Sequence, residues 1–330
     1  MRLLLPLAAV QALAEGGEWP SLFTGENALV LALERVQPGV EAARVAAWLR
    51  RAGCPVIGVG AAGEAPEIAA ACDVVLADEQ GLAPMLARID AAPRAAAVFV
   101  QLLRHTEGLP LEAALMAESL AYATLQAGPE YQAWLAQHRA DRPRQASDEG
   151  PAVLLCQTDE GWRLTLNRPS TQNAMSVEMR DALLAALATV AADLQPGGLR
   201  IDARGACFST GGELSEFGTV PDAPAGYLIR QLALPGRALA ALSETAMVQV
   251  HGACIGSGIE FPAFAGRIEA QADSVFELPE LGFGLIPGAG GCVSLPRRIG
   301  RQRLAWWALT GEVLDAATAL SWGLIDAIRD

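Results

Sequence analysis

Glu260 and Glu280 are the residues of this chain whose type and setting best suit chemistry. Each is flanked by apolar residues, and each adjoins a tight turn. Glu260 ends the run Gly252-Ala-Cys-Ile-Gly256-Ser257-Gly258-Ile-Glu; Glu280 follows Pro279 and leads into a second glycine-rich stretch at 282–291. In a pair of carboxyl groups held in apolar surroundings, one stays protonated while the other ionises near neutral pH. That is the equipment of a general acid and a general base. Singly, each signal is ordinary. Glycine-rich strand-to-helix turns are widespread in α/β proteins, and Glu260 alone fits a first-turn glutamate favoured by a helix dipole. Their combination with a third glycine turn, Phe208-Ser-Thr-Gly211-Gly212, points to a site.

Several elements must position these residues. Residues 247–250 alternate as a half-buried strand, and the glycines after them let the backbone turn sharply and approach a ligand. A helix opening at Ile259 would direct its free first N–H groups back at that ligand. Upstream, 152–157 and 161–167 alternate as antiparallel strands around a turn at 158–161. Ser176 is a candidate N-cap for a helix over 177–194, whose stripe of Met179, Leu183, Leu184, Leu187 and Val190 faces a core. The polar, proline-bearing stretch 139–151 reads as a linker. Before it, 93–143 reads as three amphipathic helices broken at Gly108-Leu-Pro110 and Gly128-Pro129. Residues 1–92 carry apolar runs at 28–33, 54–60 and 72–78 with a helix over 40–52, a small α/β pattern.

Composition narrows the function classes. Apolar residues make up 52% and charged ones 18% of 330, so the chain is globular with room for a real core. A net charge of −13 without a lysine-rich run argues against nucleic acid or an anionic membrane as partner. A phosphate-bearing substrate would rely on local arginines, helix ends and backbone amides. The six cysteines show no CxxC or Cys/His spacing, and the three histidines (105, 138, 251) are too dispersed for a zinc site. The cysteines read as small apolar groups of a reducing compartment, and His251 as a strand-end residue. Arg2, a short apolar run and Ala12-Leu13-Ala14 imitate a secretory signal peptide, but the charged region is thin and Pro6 interrupts the run. The expectation is a cytoplasmic protein with no membrane span.

Four segments carry a resemblance to the enoyl-CoA hydratase/isomerase (crotonase) superfamily: LTLNRPSTQNAMS (164–176), ACFSTGGEL (206–214), VHGACIGSGIE (250–260) and the long stretch 276–326. Their order and spacing are those of the family, over residues 151–330. The resemblance implies an α/β chain with a crotonase-like (ClpP/crotonase) ββα superhelix core, here preceded by an additional α/β and helical region. It implies an acyl-CoA thioester as substrate, no cofactor beyond the coenzyme A of that substrate, and a homo-oligomer, trimer or hexamer. The backbone N–H groups of Gly212 and Ser257 would form an oxyanion hole. Glu260 would act as base towards a water and Glu280 would supply the α-proton, giving syn hydration of a trans-2-enoyl-CoA to a 3-hydroxyacyl-CoA. Substrate contacts are implied at Arg168, Asn173, Ala174, Phe208, Thr210, Gly211, Gly256, Pro287 and Gly288. Isomerisation of an enoyl-CoA, which family members commonly perform with the second glutamate alone, and thioester hydrolysis are alternatives. A non-catalytic acyl-CoA-binding subunit is an alternative of another class.

The chain also departs from the family pattern. Serine stands at 257 where glycine is common, Glu213 replaces an aspartate, and Gly266 stands where an aspartate commonly ends the catalytic helix. No basic residue precedes Asn173 within 170–172, which leaves Arg168 and the arginines near 139–144 as candidate phosphate anchors. Segment 93–143 resembles the helices that normally close a crotonase chain, whereas here the sequence stops just beyond Asp326. A circular permutation fits this order, as does a duplication whose first copy decayed. In the second history 55–78 echoes the catalytic turn, with a catalytically silent Glu67 near the position of Glu260.

Overall fold

The computed structural model describes residues 4–17, 25–36, 40–138, 147–194 and 196–329. It opens with α1 (Leu7–Gly16), β1 (Leu29–Leu33), α2 (Ala42–Leu49), β2 (Val56–Gly60), α3 (Pro66–Ala71), β3 (Val74–Leu76) and α4 (Leu82–Ala91). The three strands pair in parallel in the order β1-β2-β3. Strand alternation divides their side chains between two cores. Leu29, Leu31, Leu33 and Val56 join a small cluster with Leu7, Val10, Val45, Leu49 and Ile68. Val30, Ile57, Val59, Val74 and Leu76 join the main core instead. The sheet is therefore a shared wall. Glu67 lies exposed on α3, with none of the burial that Glu260 has.

Three helices follow: α5 (Pro93–Thr106), α6 (Leu111–Gln126) and α7 (Pro129–His138). Pro93 and Pro129 open their helices at the one position where a missing N–H costs nothing. Between α5 and α6, Gly108 takes a left-handed conformation at φ 78°. Of the expected linker, 139–146 and the arginines there lie outside the described residues.

The remaining elements are β4 (Val153–Thr158), β5 (Gly161–Leu166), α8 (Val177–Ala192), β6 (Leu199–Ala203), α9 (Ala223–Leu232), α10 (Pro235–Ala240), β7 (Ala246–Val250), β8 (Ala253–Ile255), α11 (Ser257–Glu260), β9 (Arg267–Gln271), β10 (Val275–Glu277), α12 (Gly291–Ile299), α13 (Arg301–Thr310), β11 (Leu314–Asp315), α14 (Ala316–Trp322) and β12 (Ala327–Arg329). A six-stranded sheet runs β12-β9-β7-β6-β5-β4, parallel except for the β4–β5 hairpin, and a three-stranded one runs β11-β10-β8. Two residues, His251 and Gly252, carry the chain from β7 in the first sheet to β8 in the second. Ser176 caps α8, its Oγ accepting the Met179 N–H at 3.2 Å. The helix expected at Ile259 is one turn long. Pro262 has no N–H to continue the ladder, and a 3-10 turn at Pro262–Phe264 takes over.

The main core takes residues from α4 to α7 as well as from the β4–β12 region, so the helical segment and the C-terminal half fold around one interior. A buried charge cluster ties the N-terminal sheet to both. Asp73, 1% exposed, accepts from the Val56 N–H at 2.8 Å and pairs with Arg104 of α5 and, at 3.2 Å, with Arg301 of α13. Among the described residues no helix is long and apolar enough to cross a membrane.

Candidate active site

The parallel pairing of β8 with β10 brings the two glutamates together. Its register sets Ile255 beside Glu277, and the Gly256 N–H donates to Glu277 O at 2.9 Å. Both strands thus end side by side. Glu260 lies one helical turn beyond the first, and Glu280 opens a 3-10 turn, Glu280–Phe283, just beyond the second. Gly256 sits between them at φ 50°; a Cβ there would lie 2.4 Å from Glu280 Oε1 and 4.0 Å from Glu260 Oε1. Only glycine fits, and one oxygen of each carboxylate reaches the same small space.

The other two oxygens differ sharply in environment. Glu260 Oε2 accepts the N–H groups of Ala289 and Gly291, both at 2.8 Å. Glu280 Oε2 is buried and has no hydrogen-bond partner among the described residues. Burial raises the Glu260 carboxyl to about 7, against the pull of its two N–H bonds and of the Arg230 guanidinium. For Glu280, burial and then the Glu260 charge push the carboxyl well above the ordinary carboxyl range. Of the two, Glu260, with two N–H donors on one oxygen, is the more readily ionised, and Glu280 holds its proton more firmly.

The 207–213 loop is laced to its neighbours on both sides. Ser209 N–H donates to Ala253 O at 3.2 Å, and Ile255 N–H to Ser209 O at 3.0 Å. On the other side Asn173 Nδ2 donates to Cys207 O, Thr210 N–H to Gln172 O and Met175 N–H to Gly211 O. Gln172 and Asn173 both adopt left-handed conformations, φ 57° and 51°, to make this knot. Gly211, at φ 86°, lies so close to the other turn that a Cβ on it would stand 3.7 Å from Ser257 N. Neither Gly212 N–H nor Ser257 N–H donates to an acceptor among the described residues. Two unused donors therefore sit beside the carboxylate pair. The Ser257 hydroxyl is buried there without a partner as well.

The sequence-selected contacts fall into groups. Glu260, Glu280, Gly212, Ser257, Gly211, Gly256 and the Pro287-Gly288 loop converge. Asn173 is fully buried and acts on the backbone, with Ala174 beside it; Phe208 is a core side chain, and Thr210 is held through its N–H. Arg168 is 6% exposed, paired with Glu178, and donates to Asn167 O and Gly150 O, so its donors are turned inward on the fold.

Sequence reasoning missed three residues, all near the Gly288 loop. Glu118 of α6 is 1% exposed and accepts Gly290 N–H at 2.8 Å and Cys292 N–H at 2.9 Å. Tyr122, one turn on, packs so closely on Gly288 that a Cβ there would stand 1.9 Å from its ring. Arg230 of α9 stacks 3.6 Å over Tyr122 and donates from Nε to Gly288 O at 3.2 Å. Beyond them the Trp134 ring of α7 packs against Phe217 and Phe283, roofing the turns that carry Gly212 and Glu280. The signal for Glu118 lay in α6 itself, where one charged residue interrupts the stripe of Leu115, Tyr122 and Leu125.

The enoyl-CoA hydratase/isomerase family profile matches residues 162–329. The chain is 31% identical over 176 residues to an enoyl-CoA isomerase/hydratase of Mycosarcoma maydis, a match covering 51% of this chain and 64% of that protein, which is under two thirds of its length. It is 32% identical over 177 residues to a trans-2-decenoyl-acyl-carrier-protein isomerase of Streptococcus mutans, covering 52% of this chain and 67% of that one. Among solved structures it is similar to an enoyl-CoA hydratase from Thermoplasma volcanium, at 26% identity and a TM-score of 0.50, over 55% of this chain and 73% of the other. Glu260 and Glu280 both lie within the residues that the family profile matches, and the chain belongs to the enoyl-CoA hydratase/isomerase family.

Proposed function

We propose that the protein processes acyl-CoA thioesters and that its reaction is the hydration of a trans-2-enoyl-CoA. The observation that carries this reading is the unequal carboxylate pair: Glu260 with two N–H bonds on one oxygen, Glu280 with a buried oxygen that has no partner among the described residues. Addition of water at the β-carbon builds negative charge on the thioester oxygen. The unused N–H groups of Gly212 and Ser257 are donors of the kind that stabilise it. Glu260 takes a proton from the water, and Glu280 gives its own to the α-carbon. Trp134 of α7 covers the turns that carry Gly212 and Glu280.

A second reading, double-bond isomerisation, is favoured by one feature: Glu280 Oε2 has no partner among the described residues, so the ionised form of Glu280 could take a proton from one carbon and return it to another without Glu260. The test follows loss of enoyl absorbance with short and medium trans-2-enoyl-CoA, using the wild type, Glu260→Gln and Glu280→Gln. Hydration predicts that each variant loses activity by roughly 100-fold or more. If Glu260→Gln keeps near-full turnover of a 3-enoyl-CoA while Glu280→Gln is dead, the protein is an isomerase.

A further inference from the structure

At the start of α12 four consecutive backbone N–H groups are claimed in alternation by two buried glutamates. Ala289 and Gly291 donate to Glu260 Oε2, each at 2.8 Å. Gly290 donates to Glu118 Oε1 at 2.8 Å and Cys292 to Glu118 Oε2 at 2.9 Å. We infer that Glu118, delivered from the helical segment that precedes the core, is the positioning residue for Glu260. By gripping the peptides at 290 and 292 it fixes the rotation of the ones that alternate with them, so that the N–H groups of Ala289 and Gly291 converge on a single Glu260 oxygen. The inference rests on Glu260 being the base of the reaction proposed above.

The surroundings reinforce this geometry. The Gly288–Ala289 peptide donates to Glu260 from its nitrogen end while its carbonyl accepts from Arg230 Nε at 3.2 Å. The same peptide is pressed against Tyr122, one turn along α6 from Glu118. Gly291 is held so near that a Cβ would lie 2.4 Å from Glu260 Oε2. The chargeable groups around Glu260 are Glu280 of the 3-10 turn, Glu118 and Tyr122 of α6, Arg230 of α9 and Cys292 of α12. Burial and then the Glu260 charge push the Glu118 carboxyl itself well above the ordinary carboxyl range. Its influence on Glu260 runs through the loop, where its grip keeps the two N–H bonds that lower the Glu260 pKa. Losing that grip would make Glu260 less acidic, whereas a Glu118 that merely fills space could be replaced without raising the Glu260 midpoint.

The experiment titrates the glutamate carboxyl carbons of the full, 13C-labelled chain by NMR, with the Glu260 signal assigned by its loss in Glu260→Gln. Glu118→Gln is near-isosteric but turns an amide N–H2 towards one of the two donors it should accept. Glu118→Asp, which retracts the carboxyl group by one methylene, is the second variant. Positioning predicts that the Glu260 midpoint rises by about one unit in both, a roughly tenfold loss of acidity. On the catalytic side kcat falls by roughly tenfold or more near pH 7 with KM little changed, and the acid limb of kcat/KM moves to higher pH. A midpoint that falls or stays unchanged in a folded Glu118→Gln overturns the inference. If the wild type hydrates no enoyl-CoA, the hydration reading fails while the carboxyl titration still decides the part played by Glu118.

Discussion

Glu280 keeps a carboxyl oxygen buried without a partner, and Glu260 has its carboxyl raised to about 7 by burial. Both arrangements cost stability. An exposed glutamate in the unfolded chain titrates near 4.5, so between that pH and about 7 the unfolded chain gives up a proton that folded Glu260 retains. The unfolded state then binds fewer protons, and stability falls as pH rises through this window. Glu260→Gln removes the effect. We expect its Tm to exceed that of the wild type at pH 8 by a few degrees, at about 2–4 °C per kcal/mol recovered, and to match it near pH 4.5. An equal difference at both pH values would show that the mutation acts through packing instead. At this scale the sequence was legible wherever glycine punctuated it. Glu260, Glu280, Gly212 and Ser257 each adjoin a turn that only small residues can make, and the structure brings all four together. Glu118 and Arg230 adjoin no such mark. On a helix a lone charge reads as a solvated face, and burial is decided by which helix covers it from elsewhere in the chain. Arg168 shows the converse: its partner Glu178 lies ten positions away on another element, a pairing that spacing does not reveal.

Elements were legible in type and less so in length. The hairpin of β4 and β5, the break between α5 and α6 and the Ser176 cap follow from local chemistry and stand where expected. Replacing the cap, Ser176→Ala, leaves a first-turn N–H of α8 without its acceptor and should lower stability by about 1 kcal/mol, read from denaturant midpoints at unchanged m-value. A loss below about 0.3 kcal/mol would mean that water serves the N–H as well. What local chemistry did not disclose is the pairing of β8 with β10, two strands of three residues each whose register is fixed by partners far off in the chain. That register is the reason the two glutamates meet. The turn of helix that carries Glu260 is also shorter than the apolar run suggests, because Pro262 interrupts it.

Across the whole molecule, the helical segment and the C-terminal half share one interior, and Asp73 fastens the N-terminal sheet to both. Asp73→Ala would strand Arg104 and Arg301, each with a side chain nine-tenths buried, without their common anion. Breaking a buried charge cluster in this way should cost about 3–5 kcal/mol. Unfolding followed by both fluorescence and circular dichroism would register it as one cooperative transition at lower denaturant. Two separated transitions would show instead that the N-terminal sheet unfolds on its own. The grip of Glu118 on the loop before α12 has a further consequence, in time. The donors at Gly290 and Cys292 lie 172 and 174 positions after Glu118. A ribosome adding residues at ordinary speed finishes α6 roughly ten to thirty seconds before the loop it must hold is made. For that interval the nascent helix presents an apolar stripe with a carboxylate in its middle and nothing to receive it, so the glutamate that later secures the loop is, during synthesis, what keeps the waiting helix in water.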